Sequence, residues 1–380
     1  ATLAKAAEAA PDGATIYVMS DVEMNQMAWV WEKELTITSY GVDPVTLSRG
    51  ENFHTNADPA RQRYNPAMIE VGGETEQGTV SSLILTHIIL DDMGKYEGEY
   101  FVQADSEGDG ETTVSRSEVP NTSIVQDAII ATYNGMGTIT LGDGAELRNY
   151  GGMSAVRLSG GELIMEEGSA ILDTTENERE KGASGSFGPA GAVWLQGGIL
   201  TMNGGTIGGD KGVMMNGRAL YADGGTANIG GTIQNIHGTD AAWQGQNGVA
   251  VHLRSHGEAT LASTGEITNV TGTNAGNNCA IWTQFCNFTT KAGSKISHVD
   301  GFQLLYFDDL DNNNYSHEVY LNGTISECAS GSASLLRSWY GQITFGPNSV
   351  IENCSSSSAG GLIYSNNGSH YTFAGPIRNN

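Results

Sequence analysis

A short strand motif recurs along the chain and organises its apolar and polar positions. Residues 192–198 read AVWLQGG, and residues 155–161 (AVRLSGG) and 219–225 (ALYADGG) repeat this motif closely. Weaker copies begin at positions 250, 280, 304, 335 and 362. Because alternate side chains of a strand point to opposite faces, the apolar members of each copy share one face and the residues between them share the other. The motif therefore predicts a stack of strands with one apolar face.

A second motif consists of an apolar residue that is often followed two positions later by asparagine. The leading residues recur every 24 to 36 positions and are Leu147, Ile171, Ile207, Ile233, Ile267, Ile296, Ile325, Ile351 and Ile377. The asparagines are Asn149, Asn235, Asn269, Asn353 and Asn379. Another apolar residue often lies three positions after the lead, which a straight strand does not allow. Asparagine tolerates the left-handed backbone of a one-residue bend, so each repeat is predicted to contain three short strands, a Gly-Gly turn and an Asn bend.

A variable period in the twenties and thirties is typical of a solenoid. Glycine at this density excludes the long amphipathic helices of a helical solenoid. We therefore predict an all-β fold, a parallel β-helix of about ten to twelve coils, with equivalent residues of adjacent coils about 4.8 Å apart. The prediction is a single domain over residues 1–380, with a capping helix in residues 1–12 and an excursion loop at 91–125. The C-terminal end falls within a coil, so we expect an open end that continues in a longer protein.

Composition narrows the classes of partner. The chain has 380 residues, a net charge of −25, 52 Gly and 8 Pro. This acidity disfavours nucleic acid and anionic membranes as partners, and no apolar run is long enough for a membrane-spanning helix. Four cysteines are too few for a disulfide scaffold. Buried thiols are expected, with a small loop disulfide between Cys279 and Cys286 as the alternative.

The outward face of the strand motif has an unusual composition, because solvated strand faces usually carry Thr, Ser, Lys and Asn. Its first column is Arg157, Trp194, Tyr221, His252, Trp282, Tyr306, Arg337 and Tyr364. A companion column beside it is Ser159, Gln196, Asp223, Arg254, Gln284, Asp308, Trp339 and Asn366. Flat apolar rings next to planar polar groups suit sugars, and Trp, Tyr and Arg are common at binding hot spots.

We therefore expect a glycan-binding face. Its residues are Trp194, Tyr221, Asp223, His252, Arg254, Trp282, Gln284, Tyr306, Asp308, Arg337 and Trp339, with Trp243 as a further platform from a flanking loop. The alternative is that the rings stack on one another or are covered by loops, and so only stabilise the fold.

The acidic residues of this face raise the question of catalysis. Glycosidases need two carboxyl groups about 5 to 10 Å apart, whereas Asp223 and Asp308 are three coils apart, roughly 14 Å. Asp223 beside Arg254, and Asp308 beside Arg337, are predicted ion pairs between neighbouring coils. No catalytic residue is therefore assigned, and binding without catalysis is the first expectation.

A calcium site is a candidate at Asp308, Asp309, Asp311 and Asn313, because alternate oxygen side chains on a loop suit Ca²⁺. A solvated polar loop is the alternative. Apart from this Ca²⁺, no cofactor is expected.

Some segments resemble a known family. The helix-Pro-Asp-Gly-strand opening, residues 83–92 and the GGILTMNGGTI stretch at 197–207 are similar to right-handed pectate-lyase-like β-helices. The last of these also resembles β-helix domains of large surface proteins from Gram-positive gut bacteria. The resemblance implies a single-stranded, right-handed β-helix at the bacterial cell surface, extracellular, and a monomeric domain of a larger multidomain adhesin. Its ligand would be a host or dietary glycan, or a host surface protein.

The same fold hosts other functions. A polysaccharide lyase or glycoside hydrolase acting on the same face is the second expectation. Asp308-Asp309 resembles the paired aspartates of polygalacturonase-like β-helices, but the other motifs of that group, Asn-Thr-Asp, Gly-His-Gly and Arg-Ile-Lys, do not occur in the expected places. A passive stalk is the third expectation, and a stalk needs no aromatic column.

Overall fold

The structure is a computed structural model. It describes residues 2–54, 67–73, 81–93, 128–133, 135, 137–152, 154–175, 191–238, 247–272, 278–309, 316–331, 334–357, 361–366 and 368–380. Three of the expected site residues lie outside the described residues: Trp243, Asp311 and Asn313. The expected excursion loop also lies outside them, except for residues 91–93.

A short helix, α1 (Leu3–Ala9), begins the chain, as the alanine-rich opening predicts. The hydroxyl of Thr2 accepts a hydrogen bond from Lys5 N at 3.3 Å and caps its N-terminus. Leu3 and Ala7 are buried in the same core as the strands that follow. The ammonium group of Lys33 donates to the carbonyl oxygens of Ala7 (3.0 Å), Glu8 (3.1 Å) and Ala10 (2.9 Å), which fixes the C-terminal end of the helix.

Short strands make up most of the described chain. In order they are β1 (Ala14–Val18), β2 (Val22–Gln26), β3 (Ala28–Trp31), β4 (Glu34–Ser39), β5 (Val45–His54), β6 (Ala67–Gly72), β7 (Ser81–Thr86), β8 (Ile88–Asp91), β9 (Ala128–Tyr133), β10 (Gly137–Leu141), β11 (Ala145–Arg148), β12 (Ser154–Leu158), β13 (Glu162–Met165), β14 (Ala170–Asp173), β15 (Val193–Leu195), β16 (Ile199–Met202), β17 (Thr206–Gly209), β18 (Met215–Asn216), β19 (Leu220–Asp223), β20 (Thr226–Ile229), β21 (Thr232–His237), β22 (Asn247–Arg254), β23 (Glu258–Leu261), β24 (Glu266–Thr271), β25 (Cys279–Gln284), β26 (Asn287–Thr290), β27 (Lys295–Asp300), β28 (Gln303–Asp308), β29 (Glu318–Leu321), β30 (Thr324–Ser326), β31 (Ala329–Ser330), β32 (Leu336–Trp339), β33 (Gln342–Phe345), β34 (Val350–Glu352), β35 (Ser355–Ser356), β36 (Ile363–Asn366), β37 (His370–Phe373) and β38 (Ile377–Arg378).

These strands form three sheets in which the described pairings are all parallel. The first sheet has 12 strands in the order β1-β4-β7-β10-β13-β16-β20-β23-β26-β29-β33-β37. The second runs β2-β5-β8-β11-β14-β17-β21-β24-β27-β30-β34-β38, with β18, β31 and β35 beside it. The third runs β3-β6-β9-β12-β15-β19-β22-β25-β28-β32-β36. Successive strands thus enter the three sheets in turn, which is a parallel β-helix, and the predicted fold class is confirmed.

The apolar leads of the second motif stack in register through the second sheet, for example Ile233, Ile267, Ile296 and Ile325. All five predicted Asn bends are confirmed. The φ angles are 51° for Asn149, 54° for Asn235, 51° for Asn269, 54° for Asn353 and 55° for Asn379. In two coils without this asparagine, His298 (φ 52°) and Glu327 (φ 54°) adopt the same backbone.

All four cysteines, Cys279, Cys286, Cys328 and Cys354, are free and buried. Cys279 and Cys286 therefore do not form the disulfide that was the alternative expectation. Burial raises the pKa of the Cys279 thiol to about 12, and that of Cys286 also to about 12. These cysteines are core residues, as expected for buried thiols.

Candidate functional site

The third sheet brings the first outward column into one continuous row, which we call the ladder. Parallel pairing places each member opposite the next, from Arg157 through Trp194, Tyr221, His252, Trp282, Tyr306 and Arg337 to Tyr364. Neighbouring members are thus one strand spacing apart, about 4.8 Å. Eight aromatic or cationic side chains lie in one straight row.

The ladder side chains pack against each other. The ring centroids of His252 and Trp282 are 5.1 Å apart and their planes differ by only 15°. Tyr221 meets His252 edge to face at 5.0 Å, and Trp282 meets Tyr306 edge to face at 5.5 Å. These are the favourable geometries for aromatic pairs. The rings therefore pack on one another, as the alternative expectation states. The stacked ring faces are covered by the neighbouring rings.

Burial of the ladder varies along its length. Trp194 is 7% exposed and Tyr306 is 1% exposed, whereas Tyr364 at the last rung is 43% exposed. Tyr221 and Trp282 are half-buried. The ladder is thus not the open aromatic platform that a sugar ring would stack upon, because adjacent rungs cover much of it. What remains for a ligand is mainly ring edges and polar groups.

Arginines flank the aromatic rungs from Trp194 to Tyr306. The guanidinium of Arg157 lies 4.8 Å from the Trp194 ring centroid and donates twice to Gln196 Oε1, at 2.9 and 2.7 Å. Burial lowers the pKa of Arg157 to about 10. At the other end, the Arg337 guanidinium lies 5.2 Å from the Tyr306 ring centroid. Such cation–π contacts are worth about 0.5–2 kcal/mol each, so the ladder is a cohesive unit with a cation near each end.

The companion column supplies polar groups beside the ladder. Asp223 and Arg254 are register partners, but among the described residues they form no ion pair, which corrects the expectation. Arg254 Nη1 instead donates to Tyr221 Oη at 3.3 Å, and Ser255 Oγ donates to Asp223 Oδ1. Gln284 pairs in register with Asp308, and Asp308 is three rungs from Asp223. The two carboxyl groups are therefore as far apart as the sequence predicts.

Among the residues that the structure describes, three outward indole N–H groups have no hydrogen-bond partner. They belong to Trp194 and Trp282 on the ladder and Trp339 in the companion column, and each nitrogen is buried. A buried donor left without an acceptor costs about 1–3 kcal/mol. Most buried donors in proteins find a partner. Three such groups on one face of one sheet are therefore a feature that needs an explanation.

The expected calcium ligands diverge. Asp308 belongs to the companion column, whereas Asp309 is 1% exposed and accepts from His317 Nδ1 at 2.8 Å and from His317 N at 3.3 Å. Among the residues that the structure describes, no three His, Cys, Asp or Glu side chains come together in a way suited to hold a metal ion. The described part of the expected site, Asp308 and Asp309, is thus two separately engaged carboxylates.

A pair of histidines lies beside the companion column and was missed by the motifs. His256 Nδ1 is 3.3 Å from His317 Nε2, although 61 positions separate them in the sequence. The sequence signal is local: residues 255–257 read SHG where the equivalent turns of the three preceding coils read GG. Ser255 (φ 53°) and His256 (φ 63°) adopt a left-handed backbone that ordinarily favours glycine. The described structure thus adds His256 and His317 to the residues of functional interest.

Comparison with family models, with curated proteins and with solved structures found no match in any of the three. In the described part of the chain, no helix is both long enough and apolar enough to cross a membrane.

Proposed function

We propose that this β-helix is the ligand-binding domain of an extracellular bacterial surface adhesin and that it binds a glycan along the ladder. The observation that carries the proposal is the set of three unpartnered indole N–H groups of Trp194, Trp282 and Trp339. Because these nitrogens are buried, a ligand must displace the groups that cover them; one that then places oxygen acceptors along this row would remove their desolvation cost on binding.

The polar groups beside the ladder favour a hydroxyl-rich ligand. A sugar hydroxyl both donates and accepts, so it can accept from an indole N–H and donate to a neighbouring carboxylate or amide. Asp223 and Gln284 in the companion column are such acceptors, and both are half-buried. Arg254 is exposed and already placed by Tyr221. The net charge of −25 weighs against a nucleic acid as the ligand.

Because the proposed ligand contacts the N–H edges of the rings, the test variant should remove the N–H groups and keep the rings. The Trp194→Phe/Trp282→Phe double variant keeps an aromatic ring at each rung but lacks both N–H groups. We expect the intact chain to bind a coherent set of glycans on an array. Two lost hydrogen bonds of about 1 kcal/mol each correspond to roughly 30-fold weaker binding by the double variant.

The matched control is Tyr17→Phe, which removes a polar group from an aromatic residue that is exposed and lies in the first sheet rather than on the ladder. It should bind like the intact chain. Circular dichroism and the melting temperature establish that each variant is folded. The proposal fails if the intact chain binds no glycan with calcium present, or if the folded double variant binds as tightly as the intact chain.

A further inference from the structure

The corner between the third and first sheets holds a chain of three side chains. Asp309 Oδ1 is 2.8 Å from His317 Nδ1, and His317 Nε2 is 3.3 Å from His256 Nδ1. Ser316 Oγ also lies 3.1 Å from His317 Nδ1. Asp309 is buried, His317 is mostly buried and His256 is exposed. The carboxylate thus lies at the inner end of the chain and an accessible imidazole at its outer end.

The carboxylate fixes the role of each nitrogen of His317. Because Nδ1 faces a buried carboxylate oxygen, it carries the proton and donates to Asp309, and this leaves the lone pair of Nε2 directed at His256. A carboxylate behind the second ring nitrogen is the usual support of a metal-binding histidine, since it sets the tautomer and raises the basicity of the ligating nitrogen.

The distance between the two facing nitrogens matches a shared metal ion. Two imidazole nitrogens bound at about 2.0–2.1 Å with a tetrahedral angle are about 3.3–3.4 Å apart. The observed separation of His256 Nδ1 and His317 Nε2 is 3.3 Å. Without an ion, His256 Nδ1–H donates to His317 Nε2. With an ion, the His256 proton moves to Nε2 and both facing nitrogens bind, with no net proton released.

The backbone around His256 adopts a left-handed conformation that the preceding coil gives to glycine. The corresponding turn one coil earlier is Gly224 (φ 82°) and Gly225 (φ 84°). Here Ser255 and His256 take positive φ values with side chains attached, and both side chains are engaged, Ser255 with Asp223 and His256 with His317. A positive φ recurs at this turn in later coils, at Phe285 (φ 54°) and Tyr340 (φ 57°), so the difference from the preceding coil is the extra residue of the turn and the contact that His256 makes.

We propose that His256 and His317 bind a divalent transition-metal ion of the zinc type, with Asp309 as the positioning residue behind His317. Imidazole nitrogen is a preferred ligand of Zn²⁺ and Ni²⁺. The described chain provides two protein ligands, so water or an oxygen of a bound ligand fills the open positions. The proposal rests on this corner alone and is independent of glycan binding.

The test is isothermal titration of the whole 380-residue chain with zinc chloride, repeated with nickel chloride. We expect one ion per chain. His256→Asn keeps a residue that tolerates the left-handed bend but removes the ligand, and His317→Gln removes the other. Each should weaken zinc binding at least tenfold. Asp309→Asn should weaken it about tenfold, the low end of the usual loss for such supporting carboxylates.

The matched control is His298→Gln, because His298 is an exposed bend histidine engaged with Glu327 at 3.0 Å. It should bind zinc like the intact chain. A Co²⁺ absorption spectrum characteristic of tetrahedral coordination should appear with the intact chain and disappear in His256→Asn. The proposal is overturned if the intact chain binds no zinc, or if the folded His256→Asn variant binds it as tightly as the intact chain.

Discussion

The bend at Asn235 offers a direct measure of what the asparagines contribute to the coils. Its side chain donates to Gly209 O at 2.9 Å and accepts from Asn269 Nδ2 at 2.7 Å. Asn235→Ala loses both hydrogen bonds, about 1 kcal/mol each. It also places alanine at φ 54°, where a left-handed backbone costs roughly 1–2 kcal/mol. We expect Asn235→Ala to lower the free energy of local opening by about 3–4 kcal/mol.

Asn235→Gly separates the two contributions, because glycine adopts the left-handed backbone freely but makes no side-chain hydrogen bond. It should be about 1 kcal/mol less destabilising than alanine. Amide hydrogen exchange is the suitable assay, since stability in a stacked-coil protein is largely a sum of neighbour contacts and openings are local. Peptides covering 232–238 should exchange faster, whereas those covering 35–39 should not change. Equal effects of alanine and glycine would refute the role of the backbone conformation.

Three further outcomes follow from burial. Burial raises the pKa of Tyr306 to about 12, against about 10 in an unfolded chain. The free energy of unfolding should therefore fall as the pH rises from 10 to 12. In urea titrations, the Tyr306→Phe variant should show a smaller fall over this range. The raised pKa of Cys279 and Cys286 predicts that a thiol reagent at pH 8 labels neither until the chain is unfolded, and rapid labelling of the folded chain would contradict their placement. Phe345 is 1% exposed, and its ring centroid lies 4.7 Å from that of Phe373, which is 48% exposed. In thermal melts, Phe345→Ala should lower the free energy of unfolding by about 3–5 kcal/mol, and Phe373→Ala should lower it much less.

The repeats made the fold predictable because each coil imposes the same local demands. An inward isoleucine such as Ile233 must stack on Ile267, and a bend such as Asn269 needs a residue that tolerates positive φ. Both demands recur in the sequence from coil to coil. The same argument extends to the ladder, since the strand motif that contains Trp194 and Trp282 fixes which side chains face outward.

The details of the site depend on contacts that no repeat encodes. The sequence places Trp282 beside His252, but the choice between rings that present their faces and rings that stack depends on side-chain torsions and on what packs around each rung. The His256–His317 contact also escapes periodicity, because it joins a turn in one coil to the entry of a first-sheet strand two coils later. Only the local sequence marked that turn, which reads Ser-His-Gly where the preceding coil has Gly-Gly.

The two arginines of the ladder, one at its first rung and one at its last but one, define a segment of fixed length. Arg157 and Arg337 are six strand spacings apart, about 29 Å. Between them the rungs are the aromatic rings of Trp194, Tyr221, His252, Trp282 and Tyr306. For a linear polymer, each added unit would reach one more rung only until the chain spans this distance. Affinity should therefore rise with the degree of polymerisation and then level off for oligomers longer than about 29 Å. The number of coils that carry the ladder thus sets the size of the smallest oligomer that binds with full affinity.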